Sequence, residues 1–161
     1  MLTYDFRGYC PGGEGGCSQG DLQIPAIWQD VLGAIDFVRS QGATTVALVG
    51  ASMGGTASLV AAGQEGTDVA VVITLSAPAS IEDLDADAAL LQRVDANKLF
   101  IAGVGDAPAA ASAEQLDEIA PPPKRLEIVP ADDHGTDLLS GSRGEAVKRI
   151  IETYLAQFAP P

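Results

Sequence analysis

Apolar residues fall along this chain in two alternating patterns. Short, β-branched-rich runs occupy residues 46–49 (Val-Ala-Leu-Val), 69–75 (Val-Ala-Val-Val-Ile-Thr-Leu), 98–102 (Lys-Leu-Phe-Ile-Ala) and 125–129 (Arg-Leu-Glu-Ile-Val). Such runs predict buried strands of a parallel sheet. Residues 2–6 read as a further strand at the start of the chain. Between the runs, apolar positions recur with helical spacing. Ile27, Val31, Ile35 and Val38 predict a helix over residues 21–39, with Asp21 as its cap, Pro25 in its first turn and Gly42 at its end. Residues 53–62 predict a helix of small residues. Ser80, with Asp83 three positions on, resembles a helix start leading to residue 93, and Ser112 with Gln115 forms a capping pair for a helix over 112–119. Pro121, Pro122 and Pro123 stop that helix. The closing helix, 144–158, carries Ala146, Val147, Ile150, Ile151, Tyr154, Leu155 and Phe158 on one face.

Strand–helix alternation of this kind predicts a three-layer α/β domain. It would be a mostly parallel sheet of about five strands with helices on both faces, formed by residues 1–161 as a single unit. In such sheets function gathers beyond the carboxyl ends of the strands. The sharpest break of pattern lies at one such end. The strand at 46–49 runs into Gly50-Ala51-Ser52-Met53-Gly54, and a helix follows at once. A G-x-S-x-G sequence between strand and helix has a mechanical reading. A tight turn pushes the serine out with its hydroxyl exposed, and flanking glycines avoid collisions with the neighbouring strand and helix. The Met53 amide then points where a substrate oxyanion would sit.

Composition narrows the partners. The formal net charge is −13, which argues against nucleic acid and anionic membrane surfaces. No apolar run approaches the ~20 residues of a bilayer span, and no basic-then-apolar leader opens the chain. A cytoplasmic location is therefore expected. Cys10 and Cys17 share one loop, residues 7–20, that holds six glycines. With a single histidine and no C-x-x-C, no metal site is expected. The separation of the two cysteines permits a disulfide; two free thiols are the expectation for a chain with no export signal.

A serine hydroxyl attacks only when a base removes its proton, and a carboxylate holds a histidine base in the right tautomer. His134, the single histidine, follows the last predicted strand. Asp106 follows the penultimate one. Asp132 and Asp133 adjoin His134 too closely in sequence to orient its ring, and Asp83, Asp85 and Asp87 are reserve acids. The chain order Ser52, Asp106, His134 is the order found in α/β-hydrolases.

With these residues in view, the chain resembles the α/β-hydrolases of the serine esterase, lipase or dienelactone-hydrolase-like kind. The matching stretches are Tyr4-Asp-Phe-Arg-Gly-Tyr9, Gly50-Ala-Ser-Met-Gly-Gly55, Leu99-Phe-Ile-Ala-Gly103 with Asp106, and His134-Gly-Thr-Asp-Leu-Leu139. The resemblance implies Ser52 as nucleophile, His134 as general acid/base, Asp106 as orienting acid and Met53 as one oxyanion donor, with no cofactor. It also implies an N-terminally truncated form of the fold, because family members carry strands before the segment that begins here. One of those strands leads into the loop that supplies the second oxyanion donor. Residues 2–6 are expected to take the vacant place beside 46–49, with the following loop, and its Arg7 and Gly8 amides, as the substitute donor. An open sheet edge remains, through which a homodimer could form. The segment 76–97 is too short for a lid domain. A shallow site for a small or short-chain acyl ester is expected, with Tyr9 and Trp28 as candidate walls. The alternative is a non-catalytic or degenerate module of the same fold acting through dimer or partner contacts.

Overall fold

The structure is a computed structural model and describes residues 1–10 and 16–160. Its centre is a four-stranded, wholly parallel sheet in the order β1-β2-β5-β6, where β1 is Ala47–Ala51, β2 Val71–Leu75, β5 Asn97–Gly103 and β6 Lys124–Val129. Among the described residues five α-helices accompany it: α1 (Trp28–Ser40), α2 (Met53–Ala62), the single turn α3 (Ala88–Leu91), α4 (Ala107–Ile119) and α5 (Gly144–Phe158).

Side-chain alternation along the strands divides the core in two. Val72, Phe100 and Ala102 face one apolar cluster, which takes Val31 and Ile35 of α1, Leu59 of α2 and Leu116 of α4. Val71, Ile73, Leu75, Leu99 and Ile101 face the other, which takes Val147 and Tyr154 of α5. Helices thus cover both faces. Burial on both sides explains why the two central strands, β2 and β5, read as near-continuous apolar runs. Among the described residues Lys98 is the one charged side chain in the interior. It is fully buried, and its ammonium donates to the Val94 and Ala96 carbonyls at 2.9 and 2.8 Å.

Four expectations are corrected. Residues 2–6 form no strand; they lie largely exposed, and the main sheet has four strands, with β1 at its edge. A lone segment with no partner on its far side gains little from a ladder, and this one is held instead by Phe6, which packs on the core of the α1 side. Helix α1 starts later than residue 21: a 3₁₀ turn, Ile24–Ala26, carries Pro25, and the first α-helical residue is Trp28. The stretch 80–93 is not one helix. It holds a small antiparallel hairpin, β3 (Ser80–Ile81) with β4 (Leu84–Asp85), before α3. Glu82 and Asp83 adopt φ of 46° and 64° at its two-residue turn, the left-handed conformation that such hairpins need. Asp87, not Ser80, is the helix cap, accepting from the Leu90 amide at 2.7 Å. Helix α4 is longer than expected, because it begins in the run 107–111 with proline in its first turn.

Candidate active site

The site is built on the carboxyl ends of β1, β5 and β6. Ser52 follows the last residue of β1 and precedes the first of α2, with φ 49° and ψ −128°. Few non-glycine residues adopt this conformation, and it costs of order 1–3 kcal/mol. The turn is held from both sides. The Ser52 amide donates to the Leu75 carbonyl at 2.8 Å, and the Ser52 carbonyl accepts from the Gly55 amide at 2.9 Å. A Cβ on Gly50 would lie 2.3 Å from the Gly54 carbonyl oxygen, and one on Gly55 would lie 2.7 Å from the Ala77 Cβ. Gly50 lets β1 and α2 approach, and Gly55 lets α2 approach the chain leaving β2. Gly54 is different: a Cβ there would meet only the Phe6 ring, at 3.7 Å, an ordinary contact. The expectation that both glycines flanking the serine are sterically required holds for Gly50 alone.

Asp106 occupies the N-cap position of α4, yet its carboxylate bonds no amide of that helix. Its Oδ2 instead meets His134 Nδ1 at 2.5 Å. The two loops are zipped together by main-chain bonds: the Val104 amide to the Val129 carbonyl at 2.9 Å, and the Gly105 amide to the Ala131 carbonyl at 3.0 Å. Gly103 permits this approach, since a Cβ there would sit 2.6 Å from the Ala131 carbonyl oxygen. Asp106 is mostly buried and His134 about half exposed, with side-chain exposures of 14% and 55%. The residue after the histidine, Gly135, has φ 56°, and a Cβ on it would lie 3.6 Å from Ala51 Cβ and 3.9 Å from Ser52 Cβ. The histidine loop therefore packs against the serine turn. Among the described residues no hydrogen bond engages the Ser52 hydroxyl, and the Nε2 side of His134 is also unbonded.

The other acids are occupied elsewhere. The Asp132 carboxylate lies against Gly105, and that of Asp133 against Gly141. Asp83 sits in the hairpin turn, Asp85 accepts from the Ser80 hydroxyl, and Asp87 caps α3.

The amides named for the oxyanion divide. That of Met53, in the first turn of α2, has no intrahelical acceptor, as at any helix start. The Arg7 amide donates to Asp30 Oδ2 at 3.0 Å, and the Gly8 amide to the Gln19 carbonyl at 3.1 Å. Both are already committed, the Arg7 amide to α1 and the Gly8 amide within its own loop, which corrects their assignment as substitute donors. For Arg7 the cause is Asp30 on α1, which also takes its guanidinium through Nε at 2.8 Å and Nη2 at 2.5 Å. Burial pushes the Asp30 carboxyl up, but the side-chain and backbone hydrogen bonds from Arg7, with its charge, hold it below the usual carboxylate range. No spacing signal in the sequence links positions 7 and 30. Of the two proposed walls, Trp28 is partly buried against the core of the α1 side, and Tyr9 is exposed, its amide bonded to the Phe6 carbonyl and the Ser18 hydroxyl.

Cys10 and Cys17 form a disulfide, correcting the expectation of free thiols. A short ladder brings them together: the Ser18 amide donates to the Tyr9 carbonyl at 2.9 Å, next to the Gly8–Gln19 bond. Residues 11–15, the centre of the Gly-rich loop, lie outside the described residues.

Two clefts, of about 220 and 280 Å³, open at the amino-terminal ends of the strands, around Thr67, Asp68, Arg39 and Arg93. They are at the opposite end of the sheet from Ser52. Among the described residues no group of three or more potential ligands could hold a metal ion, and no helix is long and apolar enough to cross a membrane.

Comparison with solved structures places this geometry. A dienelactone hydrolase from Anabaena variabilis ATCC 29413 superposes with a TM-score of 0.71 over 84% of this chain, at 26% identity. A predicted CIB-like hydrolase from Thermoplasma acidophilum gives 0.71 over 96% of this chain at 19% identity. The esterase domain of a Rhodothermus marinus protein gives 0.67 over 87% at 23% identity. The chain has the α/β-hydrolase fold. It spans 61% of the length of the dienelactone hydrolase, 70% of the CIB-like hydrolase and 72% of the esterase domain. No protein-family model matches the sequence, and no curated protein does. Within the α/β-hydrolase fold, the serine turn, the carboxylate loop and the histidine loop here occupy the ends of three of the four parallel strands.

Proposed function

We propose that this α/β-hydrolase is a serine hydrolase of the carboxylesterase kind, cleaving small or short-chain acyl esters through an acyl-enzyme on Ser52. The observation that carries the reading is the Asp106–His134 bond at Nδ1, in a loop packed against the Ser52 turn. That bond leaves Nε2 as the ring nitrogen free to serve the serine. In the proposed cycle, the Ser52 oxygen attacks the ester carbonyl while His134 takes its proton. The tetrahedral oxyanion is held by the Met53 amide. The C–O bond to the alcohol breaks as His134 returns the proton to the leaving oxygen. Water then attacks the acyl-enzyme, its proton passing to His134 and on to Ser52, and the acid departs. No cofactor enters this chemistry.

The commitment of the Arg7 and Gly8 amides favours a low rate, since one oxyanion donor is typically worth roughly 10²–10³ in turnover. It also supports the second reading, a degenerate module that binds a partner without turnover. Hydrolysis of p-nitrophenyl acetate and butyrate separates the two. The esterase reading expects turnover that disappears in both Ser52→Ala and His134→Ala; activity unchanged by either substitution would leave only the module.

The edge of β1 has no strand beyond it among the described residues, and Val49 on it is about half exposed. Pairing of two copies through that edge is the proposed assembly. Light scattering at micromolar concentration tests it, and a purely monomeric species would exclude it.

A further inference from the structure

The Ser52 turn stands between two loops that belong to opposite faces of the sheet. On the α5 face, Gly135 brings the histidine loop against it: a Cβ there would lie 3.9 Å from Ser52 Cβ, and Leu138 of the same turn is buried in the cluster that takes α5. On the α1 face stands Phe6, which packs with Met53 on the other cluster. A Cβ on Gly54 would lie 3.7 Å from Phe6 Cε2 and 3.9 Å from Cζ, so the ring edge covers bare backbone two residues past the nucleophile. Phe6 itself is only partly buried. It is also held from several sides. The Tyr4 ring meets it edge to face, with centroids 5.5 Å apart and planes at 85°. The Phe6 carbonyl accepts from the Tyr9 amide at 3.1 Å and from the Ser18 hydroxyl. The next residue, Arg7, is clamped to Asp30, and the Cys10–Cys17 disulfide fastens the same loop. These restraints fix a partly open apolar ring against the first turn of α2, the turn that carries the Met53 amide.

The chemistry of acyl transfer decides what that ring would meet. His134 returns its proton to the leaving oxygen, so the alcohol departs on the histidine side, and the oxyanion points to the Met53 amide. The acyl chain takes the remaining direction from the tetrahedral carbon, away from the imidazole. We propose that Phe6 is the specificity-determining residue for the acyl group, its ring closing the acyl side of the site after a few carbons while leaving the alcohol side unrestricted. The inference rests on the serine-hydrolase reading above and gives that site its substrate class, esters of short-chain carboxylic acids. A methylene buried in an apolar pocket is worth roughly fourfold in kcat/KM, and a fixed ring denies that gain to every carbon beyond it.

Two ester series test it, on wild type, Phe6→Ala and Phe6→Trp. In the first the acyl chain grows, as p-nitrophenyl acetate, butyrate and hexanoate. In the second the acid stays butyric and the alcohol grows, as methyl, butyl and hexyl butyrate, with acid release followed in a pH-stat. Phe6→Ala is expected to raise the hexanoate-to-butyrate ratio of kcat/KM by about fifteenfold, the worth of two newly accommodated methylenes. Phe6→Trp, which keeps the apolar packing should Phe6→Ala unfold, is expected to lower the butyrate-to-acetate ratio by roughly fourfold or more. Ratios along the alcohol series should stay within about twofold of wild type in both variants. Each ratio is internal to one variant, so a uniform loss of activity from weakened folding does not move it. Unchanged acyl ratios in either folded variant, or an alcohol-chain preference that shifts as far as the acyl one, would overturn the proposal while leaving the hydrolase reading intact. Wild-type turnover no faster than that of Ser52→Ala would instead overturn the hydrolase reading, and this proposal with it.

Discussion

Gly50 and Gly54 flank the serine symmetrically in sequence but not in space, and alanine at each should have opposite effects. At Gly50 the new methyl would lie 2.3 Å from the Gly54 oxygen, 2.5 Å from its carbonyl carbon and 2.7 Å from the Gly55 nitrogen. All three are backbone atoms of the first turn of α2, so no rotamer change can clear them. The helix would have to back away from β1 by about 1 Å. Overpacking of this severity costs roughly 3 kcal/mol, out of a total stability of about 5–15 kcal/mol. At about 2–4 °C per kcal/mol for a domain of this size, the thermal midpoint should fall by about 6–12 °C. At Gly54 the methyl would meet only the edge of the Phe6 ring at 3.7 Å. Alanine there removes a glycine from a helix and should stabilise by about 0.5 kcal/mol. Urea unfolding followed by circular dichroism, with thermal midpoints measured alongside, compares the two directly. Equal midpoints for Gly50→Ala and Gly54→Ala would refute the steric reasoning, and with it the view that Gly50 sets the approach of α2 to the serine.

Further outcomes follow from other parts of the molecule. Asp106→Asn should lower kcat for p-nitrophenyl butyrate by roughly 10²–10⁴, because the amide favours the wrong imidazole tautomer; steady-state kinetics would show this with little change in KM. Reduction of the Cys10–Cys17 bond, which closes a loop with a sequence separation of 7, should destabilise the protein by about 2 kcal/mol in urea unfolding with and without dithiothreitol. Asp30 is held below its ordinary range by Arg7, so its contribution is present above the unfolded carboxyl value, near pH 4, and is lost as pH falls through the lower folded value. The difference in urea midpoint between wild type and Asp30→Asn should accordingly be largest at neutral pH and vanish in acid.

Much of the framework was readable because buried parallel strands and amphipathic helices announce themselves by period. Helix α2 and helix α5 fall on their expected residues, and the four sheet strands within a residue or two, because the central strands are buried on both faces and the others carry a face or stripe packed on the core. Residues 2–6 misled because their apolar content, Leu2, Tyr4 and Phe6, serves packing by Phe6 and the Tyr4–Phe6 ring contact, with no strand alongside. The hairpin at 80–85 was hidden because its turn uses Glu82 and Asp83 at positive φ, where asparagine or glycine is the usual signal. At the candidate site, Asp106 was singled out by its position after the penultimate strand, and its Oδ2 lies 2.5 Å from His134 Nδ1; the role drawn from that position remains a proposal. The Arg7–Asp30 clamp was not legible, since it depends on which loops meet and not on any spacing along the chain, whereas the disulfide was permitted by spacing and set aside for free thiols.

The most direct test of the proposed chemistry is covalent labelling with an alkyl fluorophosphonate, followed by mass spectrometry of peptides. The serine-hydrolase proposal predicts a single adduct on Ser52, absent in Ser52→Ala and formed far more slowly in His134→Ala. No adduct on the wild-type protein, or an adduct on any other serine with Ser52 unmodified, would contradict it.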